Sequence, residues 1–116
     1  MKNLINKAMK IYLSGPISGY DLEERKQAFE NARKEILDFC ERWDEKSGGH
    51  TEVEVFSPPH AYKEGMTYAQ IMRYDIEQLL TCDMICFMKG WRESKGCNVE
   101  EQVARACEIK VFLDNL

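Results

Sequence analysis

Short apolar runs alternate with longer stretches of helical periodicity along the whole chain. The runs that predict strands lie at residues 9–14, 53–56, 83–88 and 110–113. The stretches that predict helices run from about residue 21 to 46, 67 to 80 and 99 to 107. This β-α-β-α-β-α-β order predicts an α/β fold, a doubly wound (Rossmann- or flavodoxin-like) parallel sheet of four to five strands with helices on both faces.

Candidate chemistry is expected at one edge of this sheet. In open parallel sheets, ligands bind beyond the carboxyl ends of the strands. Three loops leave those ends, at residues 14–20, 57–66 and 89–98. Functional side chains are therefore expected in these loops and at the helix ends beside them.

The third of these loops leads to a helix start with two adjacent glutamates, Glu100 and Glu101. If Asn98 is the N-cap, Glu101 is the third helical residue and closes a capping box with it. Glu100 then has no structural role and lies in the first turn, where the helix dipole favours its ionised form. An ionised carboxylate at a strand-end cleft suits a nucleophile or a general base. From this segment alone, a pair of solvated first-turn acids is the simpler interpretation.

A second carboxylate interrupts the apolar face of the second predicted helix. The positions i, i+4, i+7 and i+11 on this face are Tyr68, Met72, Asp75 and Leu79. Desolvation on such a face would raise the pKa of Asp75 and favour the protonated carboxyl group. One ionised and one protonated carboxyl group are the components of a glycoside-cleaving site. The alternative is that Asp75 is a surface residue at the edge of the stripe.

The first loop is a candidate anion site. Residues 14–19 read S-G-P-I-S-G, after a strand and before a helix whose start carries the capping pair Asp21 and Glu24. Free N–H groups and the positive end of a helix dipole favour an anion there. The loop has neither G-x-G-x-x-G spacing nor the lysine of a phosphate-binding loop, so its glycines alone are a weak signal.

Composition excludes several classes of function. The 116 residues, 44% hydrophobic and 31% charged, predict one globular domain. A net charge of −4 disfavours nucleic-acid binding, which requires a basic surface. No apolar run approaches the ~20 residues of a membrane helix, and the first ten residues lack a signal-peptide core. We therefore expect a cytoplasmic protein that binds neither nucleic acid nor membrane.

The cysteines and histidines do not form a metal-ligand pattern. Five cysteines contain no C-x-x-C pair, and His50 and His60 lie far from metal-ligand spacing, so we predict reduced, mostly buried thiols and neither metal nor cofactor. Cys86 and Arg92 have the C-x5-R spacing of cysteine phosphatases. Cys86 lies inside an apolar strand run, however, where burial and a raised pKa oppose that chemistry.

Three motifs together resemble one enzyme family. They are I-Y-L-S-G-P-I-S-G at residues 11–19, D-I-E-Q-L-L-T-C-D-M-I at 75–85, and S-K-G-C-N-V-E at 94–100 with Ala104 following. In order and spacing they resemble the nucleoside 2-deoxyribosyltransferase superfamily, which includes 2'-deoxynucleoside 5'-monophosphate N-glycosidases. The resemblance covers residues 11–112. It implies an enzyme that cleaves, or transfers at, the N-glycosidic bond of a (deoxy)nucleoside or its 5'-monophosphate by a retaining mechanism.

The resemblance also implies roles for individual residues. Glu100 corresponds to the nucleophile, Asp75 to the group that protonates the departing base, and Tyr12 to the residue that orients the nucleophile. The positions that correspond to substrate binding are Ser14, Gly15, Ser18, Gly19, His60, Ser94 and Gly96. The first loop and Ser94 would hold the 5'-phosphate, and His60 would line the base pocket. A retaining pair also implies carboxyl groups about 5–5.5 Å apart.

Departures from the family pattern bear on the reaction and the assembly. Lys95 stands where transferases commonly carry an acidic residue, Cys97 replaces a small hydroxyl or hydrophobic residue, and the family's longer C-terminal segment is not seen. These departures put base exchange in doubt more than cleavage. The family usually forms dimers or larger rings, so we expect a homo-oligomer, with the second-helix face of Tyr68 and Met72 as its interface.

Two other classes of function stay open at this point. One is a non-catalytic nucleotide-binding or sensing module on the same fold, and the other is a structural or interaction domain. The identity of the base and the choice between ribose and deoxyribose are likewise open.

Overall fold

The computed structural model describes residues 6–62 and 64–116. Its strands are β1 (Asn6–Ser14), β2 (His50–Phe56), β3 (Met84–Phe87) and β4 (Lys110–Val111). Its helices are α1 (Leu22–Ser47), α2 (Tyr68–Leu79) and α3 (Lys95–Ala106). Two short 3-10 turns, at Pro58–Ala61 and Trp91–Glu93, follow β2 and β3.

The four strands form one parallel sheet in the order β2-β1-β3-β4. β1 pairs with β2 from Asn6↔His50 to Tyr12↔Phe56, and with β3 from Ile11↔Met84 to Ser14↔Phe87. The fold is therefore α/β and doubly wound, as the alternation of patterns predicted. The strand order reverses between β1 and β3, and such a switch point opens a crevice at the carboxyl ends of the two strands.

Side-chain alternation along β1 assigns the helices to the two faces of the sheet. Ile11 and Leu13 pack against α1, and Tyr12 packs on the opposite face against α2 and α3. The buried cluster on the α1 face comprises Ile11, Leu13, Phe29, Ala32, Ile36, Cys40, Cys86 and Met88. The buried cluster on the other face comprises Tyr12, Leu79, Cys82, Ile85, Phe87 and Ala104. Both faces are covered, so the short central strand β3 is apolar throughout.

The helix caps agree with the sequence in two of three cases. Thr67 and Gln70 form both bonds of a capping box, at 3.1 and 2.9 Å. Asp21 accepts a hydrogen bond from the backbone N–H of Glu24 at 2.9 Å, while the Glu24 carboxylate bonds Arg25 instead of closing the box. The third predicted cap, Asn98, is wrong, because α3 begins one turn earlier, at Lys95.

Two strands, β1 and β2, begin three residues earlier than the apolar runs indicated, whereas β3 and β4 are shorter than predicted. β1 begins at Asn6 because its first residues pair with β2, a contact set by tertiary structure rather than by local hydrophobicity. β4 itself is short, but the chain continues alongside β3. Phe112 N–H donates to the Ile85 carbonyl at 2.8 Å, and Phe87 N–H donates to the Leu113 carbonyl at 3.0 Å.

The lengths of the helices bear on membrane insertion, and the burial of the cysteines bears on their reactivity. No helix within residues 6–62 and 64–116 is long and apolar enough to cross a membrane. The five cysteines are free, and those that are buried are Cys40, Cys82, Cys86 and Cys97. Cys86 is fully buried, and burial raises the pKa of its thiol to about 12, which disfavours the thiolate that phosphatase chemistry needs.

Candidate functional site

A cleft of about 500 Å³ opens at the carboxyl ends of β1 and β3. All three predicted loops contribute to it, together with α2 and α3. Its lining consists of Gly15, Pro16, Ile17, Ser18, Tyr20, Pro58, Tyr62, Tyr68, Ile71, Met72, Asp75, Gly90, Glu93, Ser94, Lys95, Gly96, Cys97 and Glu100. The location confirms the expectation drawn from strand order, and both predicted catalytic carboxyl groups lie in the lining.

Glu100 is anchored to β1 by two hydrogen bonds. The Tyr12 hydroxyl donates to Oε2 and the Ser14 hydroxyl donates to Oε1, each at 2.7 Å. Tyr12 and Ser14 are two residues apart on a strand, so their side chains share the face that packs against α3. Burial and the charges of Glu100 and Asp75 raise the pKa of Tyr12 well above 10, which keeps its hydroxyl a donor. The carboxyl group of Glu100 is thereby held in one orientation.

The predicted electrostatics of Glu100 are wrong in one respect. Because α3 begins at Lys95, Glu100 is its sixth residue and lies beyond the reach of the helix dipole at the first turn. The residue is 5% exposed, and burial raises the pKa of its carboxyl group to about 7. The hydrogen bonds from Ser14 and Tyr12 act in the opposite direction. These two hydroxyls, rather than the helix dipole, favour the ionised form.

The neighbouring glutamate is half-buried outside the cleft and has a different partner. Glu101 pairs with Arg105 one turn later on α3, at 2.5 Å. The N-cap is Ser94, whose hydroxyl accepts from the Cys97 N–H at 3.3 Å. Asn98 donates instead to the carbonyls of Arg92 and Ser94, at 2.9 and 2.8 Å. Serine is itself a preferred N-cap residue, so the sequence did contain the signal for the correct helix start.

Asp75 approaches Glu100 from α2. It is 2% exposed, which confirms that the interrupted apolar stripe buries a carboxyl group. Burial, followed by the charge of Glu100, raises the pKa of Asp75 to about 7, and a hydrogen bond with Tyr62 opposes this rise. Within residues 6–62 and 64–116, its Oδ1 atom has no hydrogen-bond partner. A buried, unsatisfied carboxyl oxygen is costly unless a ligand or a proton meets it.

The first loop contributes to the cleft differently from the prediction. Ser14 is fully buried, and its hydroxyl holds Glu100 rather than facing an anion. Gly15 lies against the core, and a Cβ atom there would be 2.6 Å from the Met88 sulfur. Ser18 lines the cleft, whereas Gly19, with φ of 85°, shapes the turn from outside the lining. Gly15 and Ser18 are the loop's predicted binding residues that line the cleft.

The N-terminus of α3 forms the opposite rim. Ser94, Lys95 and Gly96 all line the cleft, so Ser94 and Gly96 lie where the resemblance implied. The Lys95 ammonium lies 5.9 Å from the centroid of the Tyr68 ring. The first N–H groups of a helix are unpaired within the helix and favour an anion, and a lysine beside them strengthens that preference.

His60 does not lie in the cleft. It is an exposed residue of the 3-10 turn at Pro58–Ala61. The loop after β2 does contribute to the cleft, as its position in the sequence predicted. Tyr62 of this loop lines the cleft, however, whereas His60 does not. The sequence-based interpretation of His60 is corrected accordingly.

Several cleft residues had no predicted part in substrate binding, among them Tyr62, Tyr68, Met72 and Cys97. Tyr68 and Met72 were expected on an oligomer interface, but they lie along the cleft beside Gly96, whose added Cβ would contact both. Burial raises the pKa of the Cys97 thiol, which is hydrogen-bonded to Ser14 and Ser94. Helical spacing places Tyr68 and Met72 on the same face of α2 as Asp75. That spacing was the sequence signal that could have predicted their position in the cleft.

The arrangement holds two carboxyl groups in a cleft with an anion-favouring rim. In the described part of the chain, no group of three or more His, Cys, Asp or Glu side chains could hold a metal ion. Carboxyl groups of this kind can act as nucleophiles, acids and bases, and the hydroxyl groups beside them can donate hydrogen bonds.

Comparison with known proteins gives a family but no activity. A search of curated proteins found no match to this chain. The family described as "Domain of unknown function (DUF4406)" matches residues 9–113, a range that includes both carboxyl groups and the cleft. The chain belongs to the DUF4406 family.

Proposed function

We propose that this protein cleaves, or transfers at, the N-glycosidic bond of a (deoxy)nucleoside or (deoxy)nucleoside 5'-monophosphate by a retaining mechanism. One observation carries the proposal. Glu100, held by the hydroxyls of Tyr12 and Ser14, lies in the same cleft as a second buried carboxyl group, Asp75. Buried carboxyl pairs are costly to the fold, and glycosidic cleavage uses both members.

The proposed reaction has two steps. The Glu100 carboxylate attacks the anomeric carbon, and the electron pair of the C–N bond leaves with the base, whose ring nitrogen takes a proton from Asp75. Tyr12 and Ser14 orient the nucleophile. The resulting glycosyl ester on Glu100 is released by water, or by a second base, while Asp75 accepts the proton of the incoming group.

The pKa values of the two carboxyl groups support the proposed roles of Glu100 as nucleophile and Asp75 as proton donor. Burial raises the pKa of Glu100 and of Asp75 to about 7, and the charge of Glu100 adds to the rise at Asp75. Two coupled carboxyl groups then hold about one proton between them near neutral pH. Two hydroxyl donors favour the charge on Glu100, which supports the proposal that Asp75 carries the proton.

The rim of the cleft supports a substrate that carries a 5'-phosphate. Ser18 on one side and Ser94, Lys95 and Gly96 on the other supply hydroxyls, a cation and helix N–H groups. A monophosphate seated there would place its sugar over the carboxyl pair. The resemblance to monophosphate N-glycosidases implies the same arrangement.

The experiment that tests the proposed function is a panel of nucleosides and 5'-monophosphates, with both sugars and all the common bases. Release of free base is followed by chromatography for the native protein and for Glu100→Ala. We expect base release by the native protein alone, with the preferred substrate identified by the same experiment. No release from any member of the panel would overturn the proposal, and nucleotide-dependent increases in Tm would then favour a binding module.

The proposed assembly is a homo-oligomer, as the resemblance implies. Because Tyr68 and Met72 line the cleft, an interface on that face would adjoin the substrate. Light scattering of the purified protein tests this point, and a mass equal to one chain across the working concentration range would contradict it.

A further inference from the structure

Tyr62 is a cleft residue to which neither the sequence pattern nor the resemblance gives a role. It follows the 3-10 turn at Pro58–Ala61, is half-buried and lines the cleft. Burial raises the pKa of its hydroxyl above the ordinary value of 10, and the charges of Asp75 and Glu100 raise it further. The hydroxyl therefore stays protonated at neutral pH and acts as a hydrogen-bond donor close to both carboxyl groups.

Asp75 is the group that needs such a donor. Within residues 6–62 and 64–116, the titratable side chains that act on or are acted on by Asp75 are Tyr12 from β1, Glu100 from α3, and Tyr62 from the segment before α2. None of these three is a cation, and Glu100 repels a charge on Asp75. Tyr62 is the one whose hydrogen bond lowers the pKa of Asp75, against the effects of burial and of Glu100.

A neutral donor suits a group that must both hold and release a proton. A cation beside Asp75 would keep it ionised and unable to protonate a leaving group. Without any donor, a carboxylate formed in this buried position would lack a partner, since Oδ1 already has none in the described part of the chain. A single hydroxyl donor stabilises the Asp75 carboxylate less than a cation would and more than no donor would.

We propose that Tyr62 is a positioning residue for Asp75, whose hydroxyl orients the Asp75 carboxyl group toward the departing base and stabilises the carboxylate left after proton transfer. This inference rests on the proposed function, because glycosidic cleavage is the reaction that uses the Asp75 proton. In that step the proton moves from Asp75 to a base nitrogen as the C–N bond breaks and the Glu100–carbon bond forms. The O–H bond of Tyr62 stays intact and donates to Asp75 throughout.

The first test needs no activity. The 13C resonance of the Asp75 carboxyl group is titrated from pH 4 to 9 in native protein, in Tyr62→Phe and in Tyr68→Phe, with Asp75→Asn to assign the signal. Loss of the donor should raise the apparent pKa of Asp75 by about 0.5–1 in Tyr62→Phe. Tyr68→Phe is the matched control, because Tyr68 also lines the cleft, and it should leave that pKa unchanged. An unchanged or lowered pKa in Tyr62→Phe overturns the proposal.

A second variant guards against misfolding of Tyr62→Phe. Replacing Tyr62 with 3-fluorotyrosine keeps the ring and makes the hydroxyl a stronger donor. The apparent pKa of Asp75 should then fall below that of the native protein. A rise or no change would contradict the proposal as directly as the first test does.

The kinetic test separates this inference from the proposed function. With a nucleotide that the native protein cleaves, Tyr62→Phe should lower kcat/KM at its optimum about tenfold. The alkaline limb of its pH profile should move to higher pH, because Asp75 keeps its proton longer. Base release with an unmoved alkaline limb would overturn the role of Tyr62 and leave the proposed function standing. No base release by the native protein would refute the function, while the 13C titration would still decide whether Tyr62 acts on Asp75.

Discussion

The two carboxyl groups of the cleft are both buried, yet their surroundings differ. Glu100 has a hydroxyl donor on each oxygen, and both donors come from the rigid central strand β1. Asp75 has a hydrogen bond with Tyr62 from a connecting segment, and its Oδ1 is without a partner among the described residues. Burial raises the pKa of both carboxyl groups, so the number of donors, rather than burial, distinguishes them, and we propose that the group with two donors carries the charge.

The strongest test of this comparison is to remove the charge of Glu100. Glu100→Gln should lower base release by about 10⁴-fold or more, since the nucleophile is lost. Nucleotide binding should persist, because the rim of the cleft is unchanged. The matched control is Glu101→Gln, which changes the adjacent residue but disrupts only its pair with Arg105. Base release is measured for both, and comparable losses would show that the difference between the two glutamates is not functional.

Removing the second carboxyl group should have a smaller effect. Asp75→Asn cannot donate the proton, and general acid catalysis typically contributes about 10²–10⁴-fold. Glu77→Gln, an exposed change on the same helix, is the control. A loss in Asp75→Asn equal to that in Glu100→Gln would argue that the two groups act as one unit, whereas full activity would remove Asp75 from the reaction.

Removing the two hydrogen-bond donors of Glu100 one at a time tests whether they hold its carboxyl group in the ionised form. Tyr12→Phe and Ser14→Ala each remove one hydrogen bond that favours the ionised carboxylate, so each should raise the pKa of Glu100. The acid limb of the kcat/KM profile should move to higher pH, and activity near neutral pH should fall about 10- to 100-fold. Tyr74→Phe, which alters a tyrosine that contacts Phe56, should leave the profile unchanged. An acid limb that stays in place in both donor variants would contradict the assignment of the charge to Glu100.

Glu100→Gln, which should lower activity, should raise the stability of the folded protein at alkaline pH. The folded-state pKa of Glu100, about 7, lies above its ordinary value of 4.5, so the folded protein binds this proton more tightly than the unfolded chain. The stability associated with Glu100 is therefore full below about pH 4.5 and is lost as the pH rises through about 7. Glu100→Gln should raise the free energy of unfolding by about 1–3 kcal/mol at pH 8 and by little at pH 4.5. Urea denaturation at the two pH values measures this, with Glu101→Gln expected to show no such difference.

Much of the fold followed from local patterns. The parallel sheet and the faces covered by helices follow from apolar periodicity, and the boundary of α1 follows from Gly48, whose φ of 77° ends the helix. The start of α3 was missed because Asn98 and Ser94 are both good N-cap residues, and tertiary contacts decide between them. Asn98 donates to the carbonyl of Arg92 instead.

The site was predictable where a side chain sits on a regular element. Asp75, Glu100 and Tyr12 are on helices or a strand, and the structure brings the two carboxyl groups into one cleft with Tyr12 hydrogen-bonded to Glu100. Residues on connections were less predictable, because a turn can reverse the direction of a side chain within two residues. His60 and Tyr62 illustrate this, since the 3-10 turn leaves the first exposed and brings the second into the cleft.

The assignment of the nucleophile is tested most directly by locating the sugar on the protein. The native protein is incubated with a 2-fluoro analogue of the substrate it cleaves, which slows release of the glycosyl ester, then quenched in acid, digested and analysed by peptide mass spectrometry. We expect one added sugar on Glu100, absent from Glu100→Gln and still present in Glu101→Gln. A sugar on Asp75, or base release with no sugar on any peptide, would contradict it.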